Sequence, residues 1–502
     1  MKPLFVAILA ACAAVAQAPS TAEIIASRLT VGGLKADVSF LASDALEGRG
    51  TPSRGLDLAG EYIASQYRRG GLEPAGDDGY FQDANFATVA PNAVGLELTL
   101  EAGGNTIKAD KAALTIQEGA ALDLNHAAVV KVPTDGAAIN ALTPDQVRGK
   151  VLALLPAEGA AQPAGGRGGN AGNITRLLPA IGAKLQPALI LIVRPTPQPA
   201  GNRNDRPREA TEIAAAVPIL AVGDAAILSA LSAKPGAEAT VSVHMQAPTV
   251  TPVKLRNVIG ILHGSDPALK DTYLLITAHY DHLGIRDNGT PDKIFNGADD
   301  DASGTASVIE IAGAIESLPA RPKRSIVFIT LFGEELGDLG SRYYAAHPVF
   351  PLAKTIADVN LEQLGRTDDT QGPHVGMFNL TGFDYTDIST FLAKAGELTG
   401  VKAVKDEKNS DPYFTRSDNN AFAAAGVPST TLSVAYDFPD YHKAGDEWPK
   451  LDYENLAKVD RAIALAAIDI ANNPVAPQWN AGNPKVEQFI KAREKTLADA
   501  GK

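Results

Sequence analysis

Three apolar segments between Thr277 and Glu335 each run into a group of His, Asp or Glu side chains. These segments contain TAHYDHLG (277–284), NGADDDASG (296–304) and SIVFITLFGEE (325–335). Imidazoles and carboxylates that follow buried strands collect at one edge of an α/β sheet, where such folds bind their ligands. No other feature constrains the fold as strongly. The three segments predict an α/β domain with a metal site at the edge of its sheet where these strands end.

The length and charge of the chain narrow the class of protein. A chain of 502 residues is too long for one ordinary domain and predicts two. Its net charge is −13, from 45 basic and 58 acidic residues, and the basic residues are scattered. The absence of a dense basic cluster argues against nucleic acid as the main partner.

The first 18 residues have the form of a secretory signal peptide. An apolar run from Leu4 to Val15 precedes Ala16-Gln17-Ala18, a small-x-small cleavage site, and is too short to span a membrane. We therefore expect a secreted or periplasmic protein. The segment Leu9-Ala10-Ala11-Cys12 also resembles a lipoprotein cleavage box, so lipid anchoring at Cys12 is a minor alternative. Cys12 is the only cysteine, so a mature chain cleaved after Ala18 must bind any metal through His, Asp and Glu.

The rest of the chain divides by its pattern of apolar runs. Residues 20–75 predict helices and residues 95–104 a strand. Between about 110 and 250, short Val/Ile/Leu runs predict strands separated by loops at 159–173 and 194–209. This region lacks a carboxylate cluster, and we interpret it as a β-rich insert without catalytic residues.

From residue 255 the pattern becomes an alternation of strands and helices. Strands are predicted at 257–262, 272–281, 325–332 and 355–365. A helix follows Ser303 or Thr305 as its N-cap, a second passes through Tyr343 and Tyr344, and a long amphipathic helix contains Leu456 to Ile470. The polar segment after Asn472 is predicted to be a surface appendage.

His279 and Asp281 stand two positions apart at the end of a predicted strand, on the same face. A metal-binding imidazole needs a partner for its other nitrogen, and Asp281 is close enough to supply it. The alternative is a pair that only stabilises a loop. For His282 we expect a supporting or structural role.

The triplet Asp299-Asp300-Asp301 lies between small residues. Three adjacent carboxylates repel one another unless a cation neutralises them. A carboxylate bridging two metal ions would suit this position, whereas a solvated acidic turn or a calcium loop are the alternatives.

Further candidates follow along the chain. Of the neighbours Glu334 and Glu335, one can bind metal while the other holds the proton of an activated water. Glu362 ends another apolar run. Tyr441 and His442 offer a hydroxyl donor and an imidazole, and Arg416 belongs to a polar cluster that includes Asn419.

The ordered set HxD, GADDDASG, GEE, NLExxG and YH resembles the MH-clan co-catalytic zinc aminopeptidases over about 255–475. The resemblance implies a three-layer α/β/α exopeptidase domain with a mixed sheet, formed by 19–110 and 250–475. Residues 111–249 resemble a protease-associated domain whose protein partner the sequence does not identify, and 476–502 form a tail. Glu362 stands where many members have Asp, and Asn419 where many have His.

The resemblance also implies a role for each candidate. His279 and Glu362 would bind one zinc ion and Glu335 and His442 a second, with Asp300 as the bridge and a cis peptide bond between Asp300 and Asp301. In addition, Asp281 would orient His279, Glu334 would be the general base and acid, and Tyr441 would hydrogen-bond the oxyanion.

The expected function is hydrolysis of N-terminal residues from peptides. One alternative is a carboxypeptidase or dipeptidase, for which Arg416 would bind the substrate carboxylate. Others are a single-zinc glutaminyl cyclase and an inactive binding protein that uses the insert as its interaction surface.

Overall fold

A computed structural model describes residues 19–134, 136–156, 178, 180–197, 206–232 and 238–501. The predicted signal peptide with Cys12, and the predicted loop at 159–173, lie outside these residues. The chain forms two compact units. One contains the residues up to Asp83 and from Arg256 onward, and the other is Ala84–Leu255.

The first unit is built on a mixed sheet whose central strands are buried on both faces. In spatial order, seven of its ten strands are Lys402–Val404, Met377–Leu380, Ser429–Ser433, Thr355–Leu361, Tyr273–His279, Ser325–Leu331 and Thr249–Leu262. The strands from Ser429–Ser433 to Ser325–Leu331 are parallel, and Thr249–Leu262 is antiparallel to its neighbour. Val, Ile and Leu fill these strands because each is covered on both sides. The predicted α/β class with a mixed sheet is confirmed.

Helices cover both faces of this sheet. Leu275 and Ile329 pack with Tyr344 and Phe422 on one face, and the helix Gly304–Glu316 lies against the same strands on the other. The helices of this unit are Thr21–Arg28, Val31–Leu41, Arg54–Arg69, Gly304–Glu316, Leu339–Ala346, Ile388–Thr399, Asn419–Ala424, Tyr453–Asn472 and Glu487–Ala500. Among the described residues, no helix is long and apolar enough to cross a membrane.

The second unit contains an eight-stranded sheet. In spatial order its strands are Asn105–Lys108, Glu97–Ala102, Ala239–Met245, Leu122–Pro133, Val151–Leu155, Leu189–Arg194, Ile219–Gly223 and Leu114–Glu118. Its helices include Gly136–Asn140, Pro144–Val147, Ala210–Ala214 and Ala225–Ser232. Glu97–Ala102 pairs with Ala239–Met245, so a strand that we expected before the insert belongs to this unit. A pairing between strands so far apart in sequence leaves no local signal.

One local prediction is wrong, and one holds for the position of the residue but not for its hydrogen bond. The segment after Asn472 is no surface appendage, because Trp479, Val486 and Phe489 are buried in one apolar cluster with Phe414. Ser303 occupies the N-cap position of Gly304–Glu316, but its hydroxyl donates to the carbonyl of Asp299. The hydroxyl of Thr305 donates to the carbonyl of His279. The Asp301 carboxylate instead accepts the Gly304 N–H, at 3.0 Å.

Candidate metal centre

Three neighbouring parallel strands bring candidate ligands to one edge of the sheet. His279 is the last residue of its strand and pairs in register with Leu331. Glu334 and Glu335 follow Leu331 after a turn at Gly333, whose φ of 70° favours glycine. Glu362 directly follows the strand Thr355–Leu361. Because parallel strands end at the same edge, these side chains face a common space.

The three acids of the triplet divide between two roles. The Asp299 carboxylate accepts the N–H groups of Gly365 and Arg366, at 2.5 and 3.1 Å. The Asp301 carboxylate accepts those of Gly304 and Gln363. The Asp300 carboxylate instead lies beside three imidazoles. It is 3.3 Å from His279 Nε2, 3.1 Å from His442 Nε2 and 3.9 Å from His282 Nδ1. Only the middle acid therefore faces the imidazoles.

Two groups of possible metal ligands share Asp300. In each group the donor atoms lie within 4.8 Å of one another. The first contains His279, Asp300 and Glu362, and the second His282, Asp300 and Glu335. His442 adjoins the second, with Nε2 3.3 Å from Glu335 Oε1. The peptide bond between Asp300 and Asp301 is cis. The structure brings all five predicted ligands together, and their binding of metal remains a prediction.

The chemistry of these donors fits a pair of divalent cations. His279 Nε2 and Glu335 Oε1 are buried, and neither has a hydrogen-bond partner among the residues that the structure describes. Burial opposes ionisation of Asp300, but His282, His279 and His442 hold the pKa of its carboxyl well below the usual range. Burial raises the pKa of Glu362 to about 7. Oxygen and imidazole donors of this kind suit Zn²⁺.

Asp281 supports the centre by more than one contact. His279 Nδ1 lies 3.2 Å from the Asp281 carbonyl and 3.6 Å from its carboxylate, so the carbonyl is the nearer partner of the ring. The carboxylate accepts the Thr51 hydroxyl at 3.0 Å and the Glu334 N–H at 3.1 Å. Asp281 therefore fixes the backbone of Glu334 as well as lying beside His279.

A polar cleft opens beside Glu334. Glu334, Glu362, Tyr441 and Arg416 all line it. Burial raises the pKa of Glu334 well above its usual value. The Arg416 guanidinium lies 4.3 Å from the centre of the Tyr413 ring. The residues that complete the lining are Gln363, Thr381, Tyr413, Ser417, Thr431, Ser433 and Tyr436.

Two supporting residues were not predicted from the sequence. The buried Arg49 donates to the carbonyls of Leu41, Tyr280, Asn296 and Gly297. It thereby connects the loop after His279 to the loop that carries the acid triplet. The Asn419 side chain, by contrast, bonds to Phe414 and Thr431 and has no place in the centre.

Asp446 is the second of these supporting residues. Its carboxylate accepts the N–H groups of Asp299 and Asp300, at 3.0 and 3.1 Å. Neither Arg49 nor Asp446 stands in a periodic or metal-binding pattern, so the sequence alone carried no signal for them.

Comparison with known proteins relates part of this chain to a peptidase family. Residues 257–467 match the model of Peptidase family M28. The predicted family is thus confirmed for the segment that carries every candidate ligand. The solved structure of an aminopeptidase from Aneurinibacillus sp. strain AM-1 is similar over 89% of this chain and 95% of that chain, with a TM-score of 0.51 and 20% identity. That likeness shows the fold.

Curated relatives match only part of the chain. Aminopeptidase YwaD of Bacillus subtilis is 32% identical over 192 residues, which cover 38% of this chain and 34% of the relative. A probable glutamate carboxypeptidase, VP8 of Zea mays, is 29% identical over 263 residues, covering 47% of this chain and 34% of the relative. A probable zinc metalloprotease of Pyrenophora teres f. teres is 26% identical, over 45% of this chain and 51% of the relative. The chain spans between about a third and two thirds of the length of the first such relatives.

Proposed function

We propose that this chain is a zinc aminopeptidase that removes N-terminal residues from peptides with two metal ions, in a secreted or periplasmic form. The observation that carries the proposal is the pair of donor groups that share Asp300. Family M28 membership and the aminopeptidases among its relatives support the same reading. His279 and Glu362 would hold one ion, Glu335 and His442 the other, and Asp300 both.

Two bound zinc ions would acidify a water molecule and polarise the peptide carbonyl. Glu334, which lines the cleft beside Glu362, takes the proton of the attacking water and returns it to the leaving amine. The Tyr441 hydroxyl, in the same cleft, donates to the oxyanion of the tetrahedral intermediate. Asp281 keeps the Glu334 backbone and the His279 ring in place. The buried carboxylates beside the cleft accommodate the free α-amino group of the substrate.

The variant Glu334→Gln tests the catalytic role. It keeps the shape of the side chain but removes the base, so we expect kcat for aminoacyl-anilides to fall by roughly 10²–10⁴-fold. Zinc content per chain, measured by mass spectrometry of the metal, should stay at two. Glu494→Gln, on an exposed helix position, is the matched control. A Glu334→Gln variant that holds both ions and works at near wild-type rate would refute the assignment.

A carboxypeptidase or dipeptidase activity is the second candidate. Arg416 lines the cleft as a cation and could bind a substrate carboxylate, and some relatives are named glutamate carboxypeptidases. Matched peptides decide between the two. An aminopeptidase cleaves a C-terminally amidated peptide and spares an N-acetylated one, whereas a carboxypeptidase shows the opposite preference.

A further inference from the structure

His282 is a further imidazole inside the centre, beyond the five predicted ligands, and the proposed mechanism leaves it unused. It is 1% exposed, and its backbone N–H donates to the carbonyl of Arg49 at 3.2 Å. Its ring packs directly on Gly297, which has a φ of 57° and leaves no space for a side chain. The fold therefore holds the imidazole in one position.

That position places His282 Nδ1 among the atoms of the second donor group. Nδ1 lies 2.8 Å from Glu335 Oε1 and 3.9 Å from Asp300 Oδ2. The ring meets that of His442 edge-on, with 5.7 Å between the ring centres. His442 Nε2 in turn lies 3.1 Å from Asp300 Oδ2 and 3.3 Å from Glu335 Oε1. One nitrogen of each imidazole thus lies within 3.3 Å of the same carboxylate oxygen, Glu335 Oε1.

The direction of the His282 ring distinguishes a hydrogen-bond donor to Glu335 from a metal ligand. If Nδ1–H donated to Glu335, the N–H would point at the carboxylate oxygen. The two atoms are 2.8 Å apart, yet over the described residues neither has a hydrogen-bond partner. His279 Nε2 shows the same relation to Asp300 Oδ1, at 3.3 Å and also without a hydrogen bond. Buried donor and acceptor atoms are normally paired, so this shared exception indicates atoms that face a third, cationic centre.

We propose that His282 is a metal ligand, which with Glu335, His442 and the shared Asp300 gives one ion four protein donors. His279, Glu362 and Asp300 give the other ion three. This inference rests on the proposed two-metal function. Closed four-donor sites are typical of tightly held structural zinc, and three-donor sites keep a position open for water or substrate. The two ions should therefore differ in affinity, with the four-donor site the tighter.

Paramagnetic proton NMR of the full chain, loaded with Co²⁺ in place of zinc, tests the assignment directly. Each Co²⁺-bound imidazole retains one N–H, whose strongly shifted resonance disappears in deuterated water. We expect three such resonances in the wild type, from His279, His282 and His442, and two in His282→Asn. A wild type that binds two Co²⁺ ions and shows only two resonances overturns the inference, whether or not the variant folds.

Zinc affinity gives a second readout. Loss of a partner outside the coordination sphere typically lowers metal affinity by about 10–100-fold. For His282→Asn we expect the zinc affinity of the tighter site, measured in competition with a chelator, to fall by more than about 100-fold. Such a fall is larger than the loss of a residue outside the coordination sphere produces. His263→Asn, an exposed histidine of the same unit, should leave both affinities unchanged. Unchanged affinities in His282→Asn overturn the inference alone, whereas a wild type that binds fewer than two ions overturns the two-metal function with it.

Discussion

Arg49 offers the sharpest test of how the centre is held. Its guanidinium is fully buried and donates to four backbone carbonyls, two of them on the loop of the acid triplet. Burial lowers its pKa to about 10, and Asp281 leads the carboxylates that oppose this shift. It therefore remains protonated at neutral pH. A lysine at this position keeps the charge but presents its donors from a single nitrogen, which cannot reach carbonyls spread around a planar fork.

We expect Arg49→Lys to leave at least two of the four carbonyls without a donor. A buried unsatisfied polar group costs about 1–3 kcal/mol, so the variant should lose about 2–6 kcal/mol of unfolding free energy. Urea unfolding followed by tryptophan fluorescence measures this loss, because the only two tryptophans, Trp448 and Trp479, both lie in the first unit. Arg461→Lys is the matched control, since Arg461 donates to the single carbonyl of Leu29. If Arg49→Lys unfolds within about 0.5 kcal/mol of the wild type, which is ordinary for a surface change, the reasoning is wrong.

Two further outcomes follow from buried groups away from the centre. Burial, together with Asp37, raises the pKa of Glu310 from 4.5 to about 7. The folded protein therefore retains this proton to higher pH than the unfolded chain. The contribution of Glu310 to the free energy of unfolding is complete below pH 4.5 and is lost as the pH rises through about 7. The melting temperature of the wild type should accordingly fall between pH 5 and 8 by more than that of Glu310→Gln, and parallel melting curves would contradict this. Phe489 stacks on Trp479 with ring centres 5.0 Å apart, and Phe489→Ala should cost about 3–5 kcal/mol. Unfolding monitored by tryptophan fluorescence measures that cost, and an unchanged midpoint would mean that the C-terminal segment does not stabilise the first unit.

The strand ends of the first unit could be predicted from the sequence because burial on both faces leaves continuous apolar runs. Tyr273–His279 and Ser325–Leu331 are such runs, and parallel pairing then requires their polar ends to meet. The positions of His279 and Glu335 at one edge follow from this rule. The rule does not show which role each of several neighbouring candidate residues has. His282, three residues beyond His279, was expected to support the centre, whereas its Nδ1 lies among the ligand atoms.

Interactions with backbone carbonyls and N–H groups could not be predicted from the sequence. Arg49 and Asp446 bond to main-chain atoms of distant loops, and such bonds impose no pattern on the residue types at either end. The burial of the C-terminal segment could not be predicted for a related reason. Its polar composition obscures the few large side chains, Trp479 and Phe489 among them, that pack on the domain. In the second unit the strand Glu97–Ala102 pairs with Ala239–Met245, and only the assembled sheet shows this pairing.

The same backbone bonds explain how three adjacent carboxylates can be buried together. Asp299 and Asp301 each accept two N–H groups, so their positions are fixed by the surrounding loops without any cation. Arg49 holds the main chain just before the triplet, at Gly297, and Asp446 accepts the N–H groups of Asp299 and Asp300. Only Asp300 turns toward the imidazoles, so it is the acid of the triplet that could share a metal ion with them. Because its neighbours are anchored independently, the fold itself sets the position of the Asp300 carboxylate. The centre is therefore preorganised, and the energy of metal binding need not be spent on ordering its loops.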